Sequence, residues 1–390
     1  MSKLLLSCDN TIYFHNGRFY VKSQDDYDFF QRYLRVFEKL RIVCRCKTEN
    51  ELKPSFIPLD EDRIEVVYVS DFHRPKQYIK KYFSIGREIK DVVSGCDCAI
   101  LRLPSTIAFR VGKKVIKAKI PFATEIVYDA MDGVNASTNI INKLLWRKID
   151  YDMRKMCNKA NGVSCVTEHY LQRRYYSKVK NCFTSNYSSL SLPKSFFTSP
   201  RSFPTNCDFV IAHVANQVAF NGRKGINEIM QAIQILKTDG ITVKVKFAGK
   251  EYNGGIEKLM NYARNLGIDE QVEFLGFIDR QRLSEMLDTS AIYVMPTKAE
   301  GLPRVIIEAM AKGLPCITTP VSGNPELLSP HFLVEYSDVH TLANRIKELY
   351  NNKELYETTS KENYDNSLKF EASILQKRRD EFYLNLKKCK

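Results

Sequence analysis

Short apolar runs alternate with amphipathic segments along the first half of the chain. The runs at 11–14 and 18–21 flank Asn16 and Gly17, and this arrangement is a strong signal for a β-hairpin. Apolar side chains at helical spacing predict a helix over 27–40. Helices that alternate with short strands favour a parallel α/β sheet. The remaining strands predicted in this half lie at 3–7, 41–44, 64–69, 98–101 and 125–128.

The alternation becomes more regular after a polar stretch, 184–208, that is rich in Ser, Pro, Asn and Thr. We interpret this stretch as an interdomain linker and the region beyond it as a second doubly wound α/β domain, followed from about 342 by a helical, polar tail. The predicted strands of this domain lie at 209–214, 243–248, 272–275, 291–295 and 315–318. Its predicted helices lie at 225–238, 255–266, 280–289 and 303–312.

Length and composition narrow the class of protein. A chain of 390 residues suggests two domains, which we place at 1–195 and 205–360. Hydrophobic residues make up 44% and charged residues 27%, a balance that excludes disordered, collagen-like and coiled-coil proteins. No apolar run approaches the ~18 residues of a membrane-spanning helix or forms a signal peptide, so we expect a cytoplasmic protein. The 11 cysteines contain no Cys-x-x-Cys pair, and we expect reduced thiols.

The formal net charge of +14 is concentrated in the first half of the chain. Residues 101–200 alone contain 17 basic and 6 acidic side chains, whereas 201–390 contains 25 and 24. The first half therefore meets nucleic acid, an anionic membrane surface or a phosphorylated substrate. The alternative is that these cations are solvated on helix faces.

The segment around Glu300 carries the clearest chemistry. The predicted strand at 291–295 is followed by a loop with Glu300 and Gly301, and a helix is predicted to begin at Pro303. The unpaired N–H groups at the start of that helix form an anion site at the carboxyl edge of the sheet. Gly301 lets the backbone approach a ligand closely. Glu300 and Glu308 can then reach different parts of a ligand whose phosphates rest on the helix terminus.

The run 300–315 reads E-G-x-P-x-x-x-x-E-A-M-A-x-G-x-P. This pattern resembles the signature of family 4 glycosyltransferases with the GT-B fold, and the run 319–326 resembles the next loop of that family. The resemblance covers about 208–350. It implies two Rossmann-like doubly wound domains that face a central cleft. The first would bind the acceptor, with a C-terminal helix at about 365–390 packed back onto it, and the second would bind the donor.

The resemblance also implies roles for individual residues. Lys224 would hold the donor diphosphate, with Arg223 and Asn216 as further candidates in a loop that is longer than usual; the alternative for Arg223 is a solvent-facing charge. Glu308 would bind the ribose hydroxyls and Glu300 the donor sugar. Phe277 would stack on the base or be a half-buried loop aromatic. The residues whose backbone would face the nucleotide, sugar or phosphate are Gly249, Gly276, Gly301, Leu302, Pro303, Arg304 and Val305.

In the first domain many members of the family carry a histidine that faces the donor sugar. The predicted strand at 125–128 ends instead in Asp129, with Asp132 shortly after it. By resemblance to capsule and exopolysaccharide glycosyltransferases, Asp129 or, as the second choice, Asp132 takes the place of that histidine. Its carboxylate would accept a hydrogen bond from a sugar hydroxyl or help the acceptor lose its proton. The alternative is an aspartate that caps a turn or helix. We interpret Asp150 and its neighbour Asp152 as capping or surface residues.

The implied activity is transfer of a hexose from a nucleoside diphosphate sugar to a growing glycan or lipid-linked saccharide, with retention of anomeric configuration and without a metal or other cofactor. UDP is favoured because it is the commonest donor nucleotide of such enzymes, and bacterial surface polysaccharide is the expected product. A nucleotide-sugar epimerase of the same fold and a non-catalytic partner subunit remain alternatives. The cations expected at the acceptor or at the inner membrane face are Arg147, Lys148, Arg173 and Arg174. We see no nucleic-acid-binding motif and expect no such partner.

Overall fold

The computed structural model describes residues 2–70, 72, 77, 80–135, 137, 139–205 and 208–389. The chain forms two compact units. The first contains Met1–Ala130, Leu144–Tyr187 and Gln376–Lys390, and the second contains Met131–Lys143 and Ser188–Leu375. This division differs from the predicted one in three places. The polar stretch after Tyr187 and the segment Met131–Lys143 both lie in the second unit, and that unit extends to Leu375 rather than to about 360.

A nine-stranded, mostly parallel sheet forms the centre of the first unit, with the path β4-β2-β1-β6-β7-β8-β9 and with β3 paired to β1 and β5 to β3. Its strands are β1 (Lys3–His15), β2 (Arg18–Val21), β3 (Lys39–Thr48), β4 (Ile57–Pro58), β5 (Ile64–Ser70), β6 (Cys98–Leu103), β7 (Phe122–Ile126), β8 (Gly162–Cys165) and β9 (Phe183–Asn186). The helices described up to β9 are α1 (Gln24–Leu34), α2 (Tyr82–Glu88), α3 (Thr106–Lys117), α4 (Ala130–Asn135) and α5 (Ile140–Cys157).

The hairpin predicted at Asn16-Gly17 is confirmed, since Phe14 pairs with Phe19 and both turn residues have positive φ. The helix predicted over 27–40 is wrong in its extent. Helix α1 begins earlier, where the side chain of Ser23 accepts a hydrogen bond from the backbone of Asp26, and it ends at Leu34. Leu40 lies in β3, in register with Leu4 of β1. Parallel pairing with a central strand therefore outweighs a helical period at the carboxyl end of the pattern.

A five-stranded parallel sheet in the order β12-β11-β10-β13-β14 forms the centre of the second unit. The strands are β10 (Val210–Val218), β11 (Lys244–Glu251), β12 (Val272–Gly276), β13 (Ile292–Met295) and β14 (Cys316–Thr318). The helices are α6 (Ile226–Thr238), α7 (Gly255–Asn265), α8 (Arg280–Asp288), α9 (Arg304–Ala311), α10 (Val339–Asn351) and α11 (Lys353–Ser367). The predicted order of strands and helices is confirmed, and the chain has the two doubly wound units expected from its sequence.

Helix α12 (Ala372–Lys388) ends the described chain, and its residues from Gln376 onward lie in the first unit. The ring of Tyr383 stacks on that of Tyr33 of α1, with ring centres 4.9 Å apart. The ammonium of Lys387 donates to the carbonyl of Val36 at 2.9 Å. The C-terminal helix is therefore part of the core of the first unit.

A fully buried carboxylate, Glu125 of β7, joins this helix to the sheet. Its Oε1 accepts from the hydroxyls of Tyr187 and Tyr383, each at 2.9 Å. Its Oε2 accepts from the hydroxyl of Tyr33 at 2.9 Å and from the guanidinium of Arg102 at 3.0 Å. Burial opposes the charge, but the neighbouring arginines and the tyrosine hydroxyls hold the pKa of Glu125 below its ordinary value.

Candidate active site

The loops that follow β10 and β13 meet in the second unit. These two strands are neighbours, and the strand order reverses between them, so their carboxyl ends mark a topological switch point. The backbone N–H of Lys298 donates to the carbonyl of Arg223 at 2.9 Å, which ties one loop to the other. Gly225 has a positive φ of 74°, and a Cβ atom there would lie 1.9 Å from the carbonyl oxygen of Pro296. Only glycine permits this close approach.

Lys224 and Glu300 form an ion pair at this meeting point. Their side chains are mostly buried, with exposed fractions of 17% and 14%. The Oε1 atom of Glu300 also accepts from the hydroxyl of Thr297 at 3.2 Å. The two residues that the sequence assigned separately, one to the diphosphate and one to the sugar, are therefore in direct contact. An anion that binds Lys224 competes with Glu300 for its ammonium.

Helix α9 begins next to this pair. Its N-cap is Pro303 and its first helical residue is Arg304, one position later than predicted. The carbonyl of Gly301 accepts from the backbone N–H of Gly323 at 3.1 Å, which connects the Glu300 loop to the loop after β14. Arg304 is exposed, whereas Gly301 and Pro303 are buried and Leu302 and Val305 are half-buried.

Glu308 lies within α9 and is buried. The pKa of Tyr293 in β13 is affected by the carboxylates near it. Burial raises the pKa of its phenol well above the ordinary value, and the charges of Glu300 and Glu308 add to that rise. The charges of both glutamates of the E-x7-E pattern therefore raise the pKa of the same phenol, that of Tyr293.

Asn216 lies at a bulge in β10. The sequence predicted a strand that ends at 214 and a long loop that contains Asn216, but β10 continues to Val218 with a register shift against β11 between Val214 and Gln217. Asn216 is an exposed residue of the strand, and the loop that leads to Lys224 is shorter than expected. Gly249 lies opposite the bulge, where a Cβ atom would come within 2.0 Å of the carbonyl oxygen of Ala215.

Gly276 ends β12 with a positive φ of 66°, and Phe277 follows it. Phe277 is 77% exposed, so the alternative of a half-buried loop aromatic is wrong. Arg223 is exposed as well. Because the sheet is parallel, the carboxyl ends of its strands share one edge. The residues that lie at or just beyond those ends are Asn216, Lys224, Gly249, Gly276, Phe277 and Glu300.

His213 in the core of β10 does not add charge to this edge. Its Nδ1 is 2.8 Å from the carbonyl oxygen of Val294. Burial lowers the pKa of its imidazole to about 4, against the effect of that hydrogen bond, and the charge of Lys224 contributes to the lowering. The ring is therefore neutral near pH 7.

Asp129 precedes α4 and is buried in a network of the first unit. Its Oδ1 accepts from the hydroxyl of Tyr175 at 2.8 Å, and the same hydroxyl is 3.0 Å from Asp150. Strand β7 ends at Ile126, two residues earlier than predicted, so Asp129 lies beyond the strand rather than directly at its end.

The interpretation of Asp150 as a capping or surface residue is wrong. Asp150 is 2% exposed, and the guanidinium of Arg174 donates to both of its oxygens, at 2.8 and 3.1 Å. Burial opposes the charge, but these hydrogen bonds and the cations around it lower the pKa of Asp150. Arg174, predicted as an acceptor or membrane contact, is therefore engaged within its own unit. Arg147, Lys148 and Arg173 are exposed, and the ammonium of Lys148 pairs with Asp152 at 2.5 Å.

Asp132 makes a contact that the sequence did not indicate. The hydroxyl of Ser322 donates to its Oδ2, and both residues lie in the second unit and are buried. Ser322 has a positive φ of 48°, which is uncommon for a residue with a side chain. The next residue, Gly323, is the one whose N–H binds the carbonyl of Gly301. Asp132 is therefore linked through Ser322 to the Glu300 loop.

Three further findings concern the described residues. No group of three or more His, Cys, Asp or Glu side chains among them could hold a metal ion. None of their helices is both long and apolar enough to cross a bilayer. Every cysteine described is free, and Cys207 lies outside the described residues.

Comparison with known proteins decides the class of the second unit. Residues 211–366 match the family model described as glycosyl transferases group 1. These residues form a group 1 glycosyltransferase domain. The switch point with Lys224, Glu300 and α9 lies inside the matched range. The resemblance inferred from the E-x7-E pattern is confirmed.

Protein CapJ of Staphylococcus aureus is 24% identical over 358 residues, which are 92% of this chain and 89% of that protein. Sucrose-phosphate synthase of Thermosynechococcus elongatus has a TM-score of 0.74 at 15% identity and covers 99% of both chains. HepE of Anabaena in complex with UDP has a TM-score of 0.69 at 15% identity, over 98% of this chain and 99% of that one. These structural matches confirm the predicted GT-B fold over both units.

Proposed function

We propose that this glycosyltransferase moves a hexose from a UDP-sugar to a growing glycan or lipid-linked saccharide, with retention of anomeric configuration. The observation that carries the proposal is the meeting of Lys224, Glu300 and the start of α9 at one switch point inside the matched domain. The product would be a bacterial surface polysaccharide, and the enzyme would work in the cytoplasm, in contact with the inner face of the membrane. The name of CapJ and the UDP in the HepE complex support these finer assignments.

In the proposed complex, the donor diphosphate binds the ammonium of Lys224 and lies at the first turn of α9, where backbone N–H groups have no helical partners. Arg223, exposed on the same loop, supplies a second positive charge. Glu308 accepts from the ribose hydroxyls, and the exposed ring of Phe277 stacks on the base. Glu300, released from Lys224 by the phosphate, accepts from hydroxyls of the sugar.

The proposed reaction forms one bond and breaks one bond at the anomeric carbon. The acceptor oxygen attacks from the face that the diphosphate leaves, so the C–O bond to phosphate breaks as the glycosidic C–O bond forms. The proton of the acceptor hydroxyl moves to an oxygen of the departing phosphate. The protein positions both reactants and stabilises the charge that grows on the diphosphate, and no step uses a metal ion or other cofactor.

The carboxylate that would take the place of the family histidine is proposed to be Asp132 rather than Asp129. The oxygen of Asp129 already accepts from Tyr175, within the network of Arg174 and Asp150. Asp132 reaches the loop after β14 through Ser322, one residue from the hydrogen bond between Gly323 and Gly301. A carboxylate there can orient the loop that borders the donor sugar.

The alternatives differ in what they require. A nucleotide-sugar epimerase of this fold would turn over its donor without an acceptor. A non-catalytic partner subunit would be expected to lack the Lys224–Glu300 pair, which is present. Transfer by the purified chain alone, strictly dependent on an acceptor, would exclude both.

The donor assignment is tested by the melting temperature of the purified chain with UDP, GDP, ADP or CMP at millimolar concentration. We expect UDP to raise the melting temperature most, because a ligand at 100 times its dissociation constant adds about 2.7 kcal/mol. Glu308→Ala should remove most of that shift by removing the ribose contact. Glu354→Ala, which changes an exposed glutamate of α11 outside the matched motif, is the control. A larger shift with another nucleotide would overturn the UDP assignment, and an unchanged shift in Glu308→Ala would overturn its ribose role.

The assignment of Asp132 is tested by steady-state kinetics of two matched variants. Asp132→Asn should lower kcat about 10-fold or more, in the range of a lost acid–base or orienting group. It should lower the melting temperature less than Asp129→Asn, because the oxygen of the asparagine can still accept from Ser322. Asp129→Asn should lower the melting temperature, because it disturbs the buried Tyr175 network, and should change kcat less. The reverse pattern, with kcat lost only in Asp129→Asn, would return the role to Asp129.

A further inference from the structure

We infer that helix α5 is a docking element for an anionic lipid bilayer, inserted by an apolar amino-terminal tip and held by the cations that follow. The inference deepens the proposed function, because a lipid-linked acceptor would lie in the same bilayer. The sequence assigned Arg147 and Lys148 of this helix to the membrane face, and the structure adds an exposed apolar tip on the same helix.

The first two turns of α5 expose large aliphatic side chains. Ile140 and Ile141 are 72% and 70% exposed, and Leu144 and Leu145 are 59% and 41% exposed. The buried residues of the helix all lie further along, at Asp150, Met153, Met156 and Cys157. Single exposed aliphatic residues are common, but four within six positions form a patch. An exposed apolar patch such as this tip of α5 is typical of a surface that binds a partner or a membrane.

The charges of α5 identify what covers the tip. The helix carries five basic and two acidic side chains. Asp150 is buried and pairs with Arg174 and Arg154, and Asp152 pairs with Lys148. With five cations against two carboxylates, the helix still carries a net positive charge. Arg147, Lys148, Arg154 and Lys155 are exposed on the turns that follow the tip. A positive surface next to an apolar tip complements a bilayer with anionic headgroups above hydrocarbon.

Tyr151 is the residue type expected at the boundary between the lipid headgroups and the hydrocarbon of a bilayer. It is 56% exposed, and the ammonium groups of Lys148 and Lys155 lie 5.8 and 6.0 Å from its ring centre. A tyrosine with an apolar ring and a polar hydroxyl suits the headgroup boundary, where lysine stems extend toward water. Nucleic acid would match the cations but would give no reason for four exposed aliphatic residues.

The mode of binding follows from the length and the pattern of the helix. No helix in the described part of the chain has the length and hydropathy of a membrane span. The apolar residues are confined to the amino-terminal turns, so the tip enters the headgroup region and the cationic turns lie along it. Binding should therefore need both parts and should weaken with salt.

The experiment is flotation of the full chain with vesicles of phosphatidylcholine alone or with 30 mol% phosphatidylglycerol. We expect binding to the anionic vesicles only, and a marked loss in high salt. Ile140→Ser/Leu144→Ser should lower the partition coefficient about 10-fold or more through lost apolar burial. Arg147→Glu/Lys148→Glu should lower it at least about 25-fold, since each cation near such a surface contributes about fivefold.

Two matched variants carry the same kinds of change elsewhere. Phe83→Ser removes an aromatic side chain that is 80% exposed outside α5, and Lys113→Glu/Lys117→Glu reverses two exposed cations of α3. Both should bind within about twofold of the wild type, because neither change alters the tip or the cations of α5. Melting temperature with and without UDP, measured on every variant, separates loss of folding from loss of docking.

The inference is overturned if the wild type does not float with anionic vesicles. It is also overturned if the tip variant binds like the wild type, which would leave a purely electrostatic surface. A dimer in sedimentation that is lost in Ile140→Ser/Leu144→Ser would assign the tip to a second copy of this chain instead. These readouts do not depend on transfer, so a protein that floats but shows no response to UDP would overturn the proposed donor while leaving the docking helix in place.

Discussion

Replacement of Glu300 by glutamine should lower kcat by about 100-fold or more while leaving the affinity for free UDP undiminished. The magnitude is that of a lost group that stabilises charge or position in the transition state. In the free protein, Glu300 pairs with Lys224, and the diphosphate competes with this carboxylate for the ammonium. The uncharged side chain of the variant leaves Lys224 available to the diphosphate. UDP binding should therefore stay the same or tighten, and only the contact with the sugar is lost.

Lys224→Ala provides the contrast. It removes the charge that neutralises the leaving diphosphate, so both the UDP-dependent rise in melting temperature and kcat should fall. Kinetics and nucleotide titration of the two variants, side by side, separate a sugar contact from a phosphate contact. If Glu300→Gln loses UDP binding as severely as Lys224→Ala, Glu300 serves mainly to position the lysine, and its role at the sugar is wrong.

Glu125→Gln should be the most destabilising single change proposed here, by about 3–5 kcal/mol. The carboxylate is fully buried, and it accepts from three tyrosine hydroxyls and from Arg102. The amide cannot neutralise Arg102 or the nearby Arg32, and its NH₂ group meets hydroxyls where an oxygen was needed. Urea denaturation followed by tyrosine fluorescence measures the loss. Because the network lies in the first unit, the UDP response of the second unit is the independent readout.

Two variants calibrate that result. Tyr383→Phe removes one hydroxyl from the network and should cost only about 1 kcal/mol. Glu51→Gln changes an exposed glutamate of the same unit and should cost almost nothing. A cost for Glu125→Gln no larger than that of Tyr383→Phe would show that the charge of Glu125 is not what holds the cluster.

The same network predicts that the protein loses folding stability at acidic pH. The folded protein holds the pKa of Glu125 below its ordinary value, so the unfolded chain binds this proton more readily. Its contribution to stability is fully present above the unfolded pKa of about 4.3 and is lost as the pH falls through the folded value. The difference in stability between wild type and Glu125→Gln should therefore shrink below about pH 4.

The second unit could be predicted almost completely from the sequence, because its signals are local. Buried parallel strands read as short apolar runs, and the approach of Gly225 to Pro296 needs a glycine whatever the rest of the fold does. The helix predicted over 27–40 failed for the opposite reason. Leu40 fits a helical period but pairs with Leu4 in a sheet, and no local pattern records that pairing.

The sequence by itself indicated the class of protein and the order of elements in the second unit, because strand and helix signals are local. Its resemblance to a known family supplied Lys224, Glu300 and Glu308 as candidates, and the structure brings the first two into contact. Only the tertiary structure showed that Asp150 is buried and that Asp132 meets Ser322, 190 residues away. It alone brought Tyr383 to Glu125 across 258 residues and left the tip of α5 exposed. An isolated Asp, Tyr or Leu carries no mark of its distant partner, because burial and charge pairing arise only when separate elements pack.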